Sequence, residues 1–179
     1  MSATPAVYMD ACCFIDVVKF DVSARLEDGR EQEVWYIKKL MQAHRDREIT
    51  VYTSTISIAE ASHAGSTPVP QGVQNALESL LVSGQYAFLV QADPFVCTDA
   101  RNLRWNEGIA LKGPDSVHLA SALSADCSEF HSMDGRFERV AGYGSRIEEK
   151  GLRVCQPSQT TLLPAKYLQG DLLDGESRH

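Results

Sequence analysis

The stretch AVYMDACCFID, Ala6 to Asp16, sets an apolar run, then a carboxylate, then a second apolar run side by side. Ala6 to Met9 read as a short buried strand, and CCFIDVVKF reads as the start of a helix, with Phe14, Val17 and Val18 at helical spacing. Asp10 stands at the junction. One acid at a strand end is also an ordinary turn or capping residue, so its meaning depends on whether other acids meet it.

Working outward, DGREQEVWYIKKLMQAHRDRE predicts a long amphipathic helix, because Val34, Ile37, Leu40, Met41 and His44 fall on one stripe with the charges opposite. ITVY predicts a second strand. TSTISIAEASHAG predicts a helix capped by Ser54 or Thr55 and ending near Gly65. VQNALESLLVSG predicts a helix with Val73, Leu77, Leu80 and Leu81 inward and Gly84 as its stop. YAFLVQ reads as a third strand, and FVCTDARNLRWNEGIALK as helical. Gly113-Pro114 separates that segment from the helix DSVHLASALSAD. EFHSMD reads as a fourth strand ending in a carboxylate, and Leu152 to Cys155 as a further strand. Short strands alternating with helices imply parallel pairing through right-handed crossovers, hence a three-layer α/β/α sandwich on a central parallel sheet of about four or five strands. Ligands in such sheets gather at the carboxyl ends of the strands, which gives Asp10 and Asp134 a shared address.

The chain has 179 residues, 44% hydrophobic and 23% charged, within the span of one domain. The expected organisation is a single domain over residues 1–156 and a polar tail over 157–179. No apolar run approaches the roughly 20 residues that cross a bilayer, and the N-terminus lacks the basic flank and apolar core of a signal peptide. The cytoplasm is therefore the expected location, without a membrane partner. Five cysteines form no zinc-like spacing and read as reduced thiols. A net charge of −7 argues against a protein that coats nucleic acid through a broad basic face, though not against local capture beside bound cations.

Four acids share a setting at strand ends and helix starts. Glu60 lies in ISIAEAS among small and apolar neighbours. Asp115 follows Pro114, an imino acid suited to the first helical turn, where the helix dipole alone would favour an anion. Asp134 precedes Gly135, a common turn pair. Each has an ordinary structural reading alone. Clustered, they would repel by about 4 kcal/mol per pair at 4 Å and an effective dielectric of 20, so a fold that gathers them implies a compensating cation of the oxygen-seeking kind.

VYMDACCFID, YTSTISIAEA, GPDSVHLASAL and FHSMDGRF resemble the four blocks of PIN-domain ribonucleases, a group that includes the VapC-type toxins of toxin–antitoxin pairs. The resemblance covers residues 6 to 155. It implies that Asp10, Glu60, Asp115 and Asp134 form an acidic site for Mg²⁺ or Mn²⁺ and that Ser132 orients it. It further implies hydrolysis of RNA phosphodiester bonds by an activated water, leaving a 5′-phosphate and a 3′-hydroxyl. The partners it implies are RNA, an antitoxin protein and a second copy of the chain. Arg101 and Arg104 share one helix face, and Lys112, Arg136 and Arg139 flank the later blocks, so these cations are candidates for holding the substrate. Trp105 is expected in the core, with base stacking as the alternative. The segment DVSARLEDGREQE departs from the family pattern as a polar insert.

Two other readings compete, and a third is set aside. A metal-independent ribonuclease would use His118 and His131 as acid and base, although His118, one turn after Asp115, reads better as a packing or supporting residue. A non-catalytic module would bind RNA or protein through the same sheet. A haloacid-dehalogenase-type phosphatase needs an Asp two residues after Asp10, where Cys12 stands.

Overall fold

The computed structural model describes residues 4–22, 26–61, 63–64, 67–68, 70–133 and 143–169, with 63–64 and 67–68 as backbone only. The elements run β1 (Ala6–Met9), α1 (Ala11–Asp21), α2 (Arg30–Arg45), β2 (Thr50–Ser54), α3 (Ile56–Glu60), β3 (His63–Ala64), β4 (Thr67–Pro68) and α4 (Gln71–Val82). They continue as β5 (Phe88–Val90), α5 (Pro94–Trp105), α6 (Gly113–Ser124), β6 (Glu129–His131), α7 (Gly144–Glu148) and β7 (Arg153–Cys155), followed by two 3₁₀ turns, Pro157–Gln159 and Ala165–Tyr167.

The main sheet has the order β5-β2-β1-β6-β7, with every pairing parallel. The chain winds outward from β1 through β2 to β5, then returns to the other side of β1 with β6 and β7. That reversal puts the topological switch point between β1 and β6, where Tyr8 pairs with Phe130 and Met9 with His131.

Strand alternation divides the core into two layers. Val7 and Met9 face Phe14 and Val17 of α1, the α2 stripe, and Leu77 and Leu81 of α4. Tyr8 and Phe130 face the other way, against Val96, Ala100 and Leu103 of α5, Leu119 of α6 and Ile147 of α7. All five residues of the expected α2 stripe are buried. Gly84 takes φ +66° just after α4, a conformation that glycine adopts without a Cβ penalty.

Two expectations are corrected. The helix predicted through Gly65 ends at Glu60, because the backbone of β3 turns into an antiparallel pair with β4. Trp105, expected in the core, is 72% exposed, because the inward stripe of α5 is Val96, Ala100 and Leu103. Its ring lies beneath the Arg104 guanidinium, 4.9 Å from the centroid.

The segment after β7 lies back on the domain through polar anchors. Glu33 of α2 accepts hydrogen bonds from the Ser158 backbone N–H at 2.8 Å and from its hydroxyl. Buried Glu129 of β6 accepts from Thr160 Oγ1 at 2.6 Å, Thr161 N at 3.0 Å and Thr161 Oγ1 at 2.9 Å. Leu163 and Tyr167 then join the α1–α2 core layer, and the Tyr167 hydroxyl donates to Asp46 Oδ2 at 2.8 Å. Among the described residues no helix is long and apolar enough to cross a membrane.

Candidate functional site

Asp10 ends β1 and caps α1. Its extended backbone (φ −67°, ψ 158°) turns the side chain back, so that Oδ1 accepts from Ala11 N at 2.7 Å. Its own N–H donates to the His131 carbonyl at 3.0 Å, which continues the β1–β6 ladder by one residue. Ser132, next along β6, donates its hydroxyl to Asp10 Oδ2 at 2.8 Å. The Cys12 thiol lies 3.4 Å from the same oxygen. Both Asp10 oxygens are thus held by groups at the switch point.

Glu60 reaches this place from the last turn of α3. Its Oε2 lies 2.6 Å from His118 Nε2, and the same nitrogen lies 3.4 Å from Asp10 Oδ1. Ligand-type atoms of Asp10, Glu60 and His118 all fall within 4.8 Å of one another. Asp10 and His118 are buried, whereas the Glu60 side chain is one third exposed and forms the open side.

His118 is fixed from behind. Its Nδ1 lies 2.6 Å from the hydroxyl of Tyr8, whose ring stacks on Phe130 with centroids 5.1 Å apart. Burial, reinforced by the charge of Asp10, raises the Tyr8 phenol well above its ordinary pKa, so it remains protonated. When the phenol donates to Nδ1, Nε2 is the ring nitrogen that directs an N–H at Glu60. That N–H offsets part of the repulsion between two nearby carboxylates.

The other expected residues divide between those described and those not. Asp115 lies half-buried in the first turn of α6, one turn before His118, and is not among the three side chains grouped within 4.8 Å. Lys112 is the exposed N-cap of α6, Arg101 is exposed on α5, and Arg104 covers Trp105. Asp134, Arg136 and Arg139 lie outside the described residues.

Two features escaped the sequence reading. His118, read there as a packing or supporting residue, stands between the two carboxylates. Arg30, in the polar insert, donates from Nη2 to the Met133 carbonyl at 3.0 Å while Nη1 pairs with Asp16 Oδ2 at 3.3 Å. Arg30 thereby braces the backbone just after Ser132 and just before Asp134. An arginine among neighbouring acids carries no sequence signal for that role.

A second group, Glu129, His131 and Cys155, is buried on β6 and β7. There the carboxylate is already occupied by His131 Nε2 at 2.8 Å and by the threonines of the C-terminal segment. Burial, helped by the Glu129 charge, pushes the Cys155 thiol up to about 12, so it holds its proton. This group reads as an anchor.

A sequence model of the PIN domain matches residues 7–143. The chain belongs to the PIN-domain family. No curated protein and no solved structure matches it. PIN domains are in general nucleases that use divalent metals and act on nucleic acid, and this PIN domain gathers acidic side chains where its sheet reverses direction. The donor set fits such an ion: two carboxylates held by neighbouring donors, with an open side at Glu60.

Proposed function

We propose that this PIN domain is a metal-dependent endoribonuclease that hydrolyses RNA phosphodiester bonds. The convergence of Asp10 and Glu60 at the carboxyl end of β1, with Ser132 aligned on Asp10, is the observation that supports this reading most. Asp10 and Glu60 would hold a divalent cation, Mg²⁺ or Mn²⁺, with Asp115 and Asp134 as the further acids that the family pattern assigns to it. The bound cation supplies charge stabilisation at the phosphate and lowers the pKa of water.

The chain's own groups do the positioning. Ser132 and the Ala11 N–H fix the Asp10 carboxylate, so little reorganisation is required when charge develops on the phosphate. His118 holds Glu60 at the open edge. Arg101, Arg104, Lys112 and Arg136 attract and align the RNA backbone. Single-stranded RNA or loops are the substrate, because an unstacked nucleotide can bring its phosphate past Glu60 to the buried Asp10 carboxylate. In the cell the protein acts in the cytoplasm as a homodimer, as the toxin of a toxin–antitoxin pair.

The test is cleavage of single-stranded RNA by purified protein with Mg²⁺ or Mn²⁺, with EDTA, and with Asp10→Asn. Metal-dependent cutting that leaves 5′-phosphates and is lost in the variant is expected. Cutting that survives chelation and disappears in His118→Ala would instead identify a histidine-based nuclease. RNA binding without cutting under any metal would identify a binding module. A neighbouring gene encoding a small DNA-binding protein that suppresses the activity would support the toxin assignment.

A further inference from the structure

We propose that His118 Nε2 is itself a ligand in the Asp10–Glu60 centre, so that the site takes a nitrogen-accepting first-row cation, of the Co²⁺ or Zn²⁺ kind and then Mn²⁺, in strong preference to Mg²⁺. This rests on reading the site as metal-dependent.

The position is the first argument. His118 Nε2 faces both carboxylates, at 2.6 Å from Glu60 Oε2 and 3.4 Å from Asp10 Oδ1, and the ring is buried at 1% exposure. A cation between Asp10 and Glu60 would meet this nitrogen before it met solvent from below. An imidazole suits zinc-like and other transition cations, whereas Mg²⁺ prefers an all-oxygen shell.

The hydrogen bonding behind the ring is the second. A ligating histidine donates its other N–H to a fixed acceptor. With the Tyr8 hydroxyl donating to Nδ1, the ring hydrogen is on Nε2 and points at Glu60. For Nε2 to offer its lone pair, one hydrogen must move from Nε2 to Nδ1, and the Tyr8 oxygen must become the acceptor. The phenolic hydrogen then needs a new acceptor.

The structure holds one. Ser121 Oγ, on α6 one turn after His118, is buried and within reach of the Tyr8 phenol but makes no well-formed hydrogen bond among the described residues. It is nevertheless among the hydroxyls that act on the Tyr8 phenol, along with Thr53 and Ser54. Thr53 Oγ1 is already paired with Ser57 Oγ at 2.7 Å. A buried hydroxyl without a partner is costly, and turning the Tyr8 O–H to Ser121 removes that cost in the metal-bound state.

The test uses the full-length, untagged, metal-free protein with Mn²⁺ alone or Co²⁺ alone. Pulsed electron paramagnetic resonance of the Mn²⁺-loaded protein should show directly bonded ¹⁴N. The coupling should persist in His44→Gln, whose ring is engaged by the Val51 N–H, and vanish in His118→Gln. Calorimetric titration of His118→Gln should show Co²⁺ binding weakened by more than about 10-fold, the least that loss of a mere outer-shell partner costs, with Mg²⁺ binding changed far less. Mn²⁺ bound without ¹⁴N coupling in the unmodified protein would overturn the ligand assignment while leaving the metal-dependent nuclease intact. Failure of Mg²⁺, Mn²⁺ and Co²⁺ alike to bind would overturn the metal-dependent reading as well. Because the deciding spectrum is that of the unmodified chain, misfolding of a variant cannot mask the answer.

Discussion

Replacing Glu129 by Gln should change the acid limb of the protein's stability more than any other single substitution on β6. Burial alone would raise the pKa of this carboxyl, but hydrogen bonds from His131, Thr160 and Thr161 outweigh it and hold it down, from an ordinary 4.5 to about 2. Because the folded value lies below the unfolded one, the stabilisation is fully present above about pH 4.5 and is lost as the pH falls towards about 2. A shift of that size, at about 1.36 kcal/mol per unit, corresponds to about 3 kcal/mol at neutral pH. Gln keeps the shape but turns an amide N–H₂ towards donors that had a carboxylate oxygen. Urea unfolding at a series of pH values from 7 down to 3 measures the effect. The variant should be about 3 kcal/mol less stable at pH 7, and the two curves should converge with a relative slope of at most about 1.4 kcal/mol per pH unit. Subtracting the curves removes the other carboxylates, which titrate alike in both proteins. Parallel curves between pH 5 and 3 would refute the claim that this carboxylate is held ionised by His131, Thr160 and Thr161.

Asp10→Asn or Asp115→Asn should abolish cleavage, yet the metal-free variants should melt at the same or a higher temperature than the metal-free parent; a drop of several kcal/mol would give these acids a structural purpose instead. Millimolar Mg²⁺ or Mn²⁺ should raise the parent's melting temperature more than either variant's. Arg104→Ala should weaken RNA affinity more than it slows single-turnover cleavage at saturating RNA, and the reverse split would make Arg104 catalytic. Leu119→Ala, in the fully buried layer between α6 and the sheet, should cost about 2–5 kcal/mol in chemical denaturation without changing metal affinity.

Local physics determined much of this protein from the sequence alone. The apolar run before Asp10 allowed only a strand end there, the spacing of Val34, Ile37, Leu40, Met41 and His44 marked the buried face of α2, and Pro114 placed Asp115 in a first helical turn. Those signals depend on periodicity and backbone preference, which act within a few residues. The strand order was not of that kind. Whether β6 returns beside β1 depends on how both faces of the sheet are covered, and only that return brings Ser132 to Asp10 across 122 positions. The same limit hid His118, whose helical spacing resembles any buried residue of α6 until α3 carries Glu60 to within 2.6 Å of it. It also hid the anchoring of residues 158–161, which are polar in sequence and read as a tail. Glu33 and Glu129 lie far away along the chain, and only the folded sheet presents them as acceptors for those hydroxyls and N–H groups.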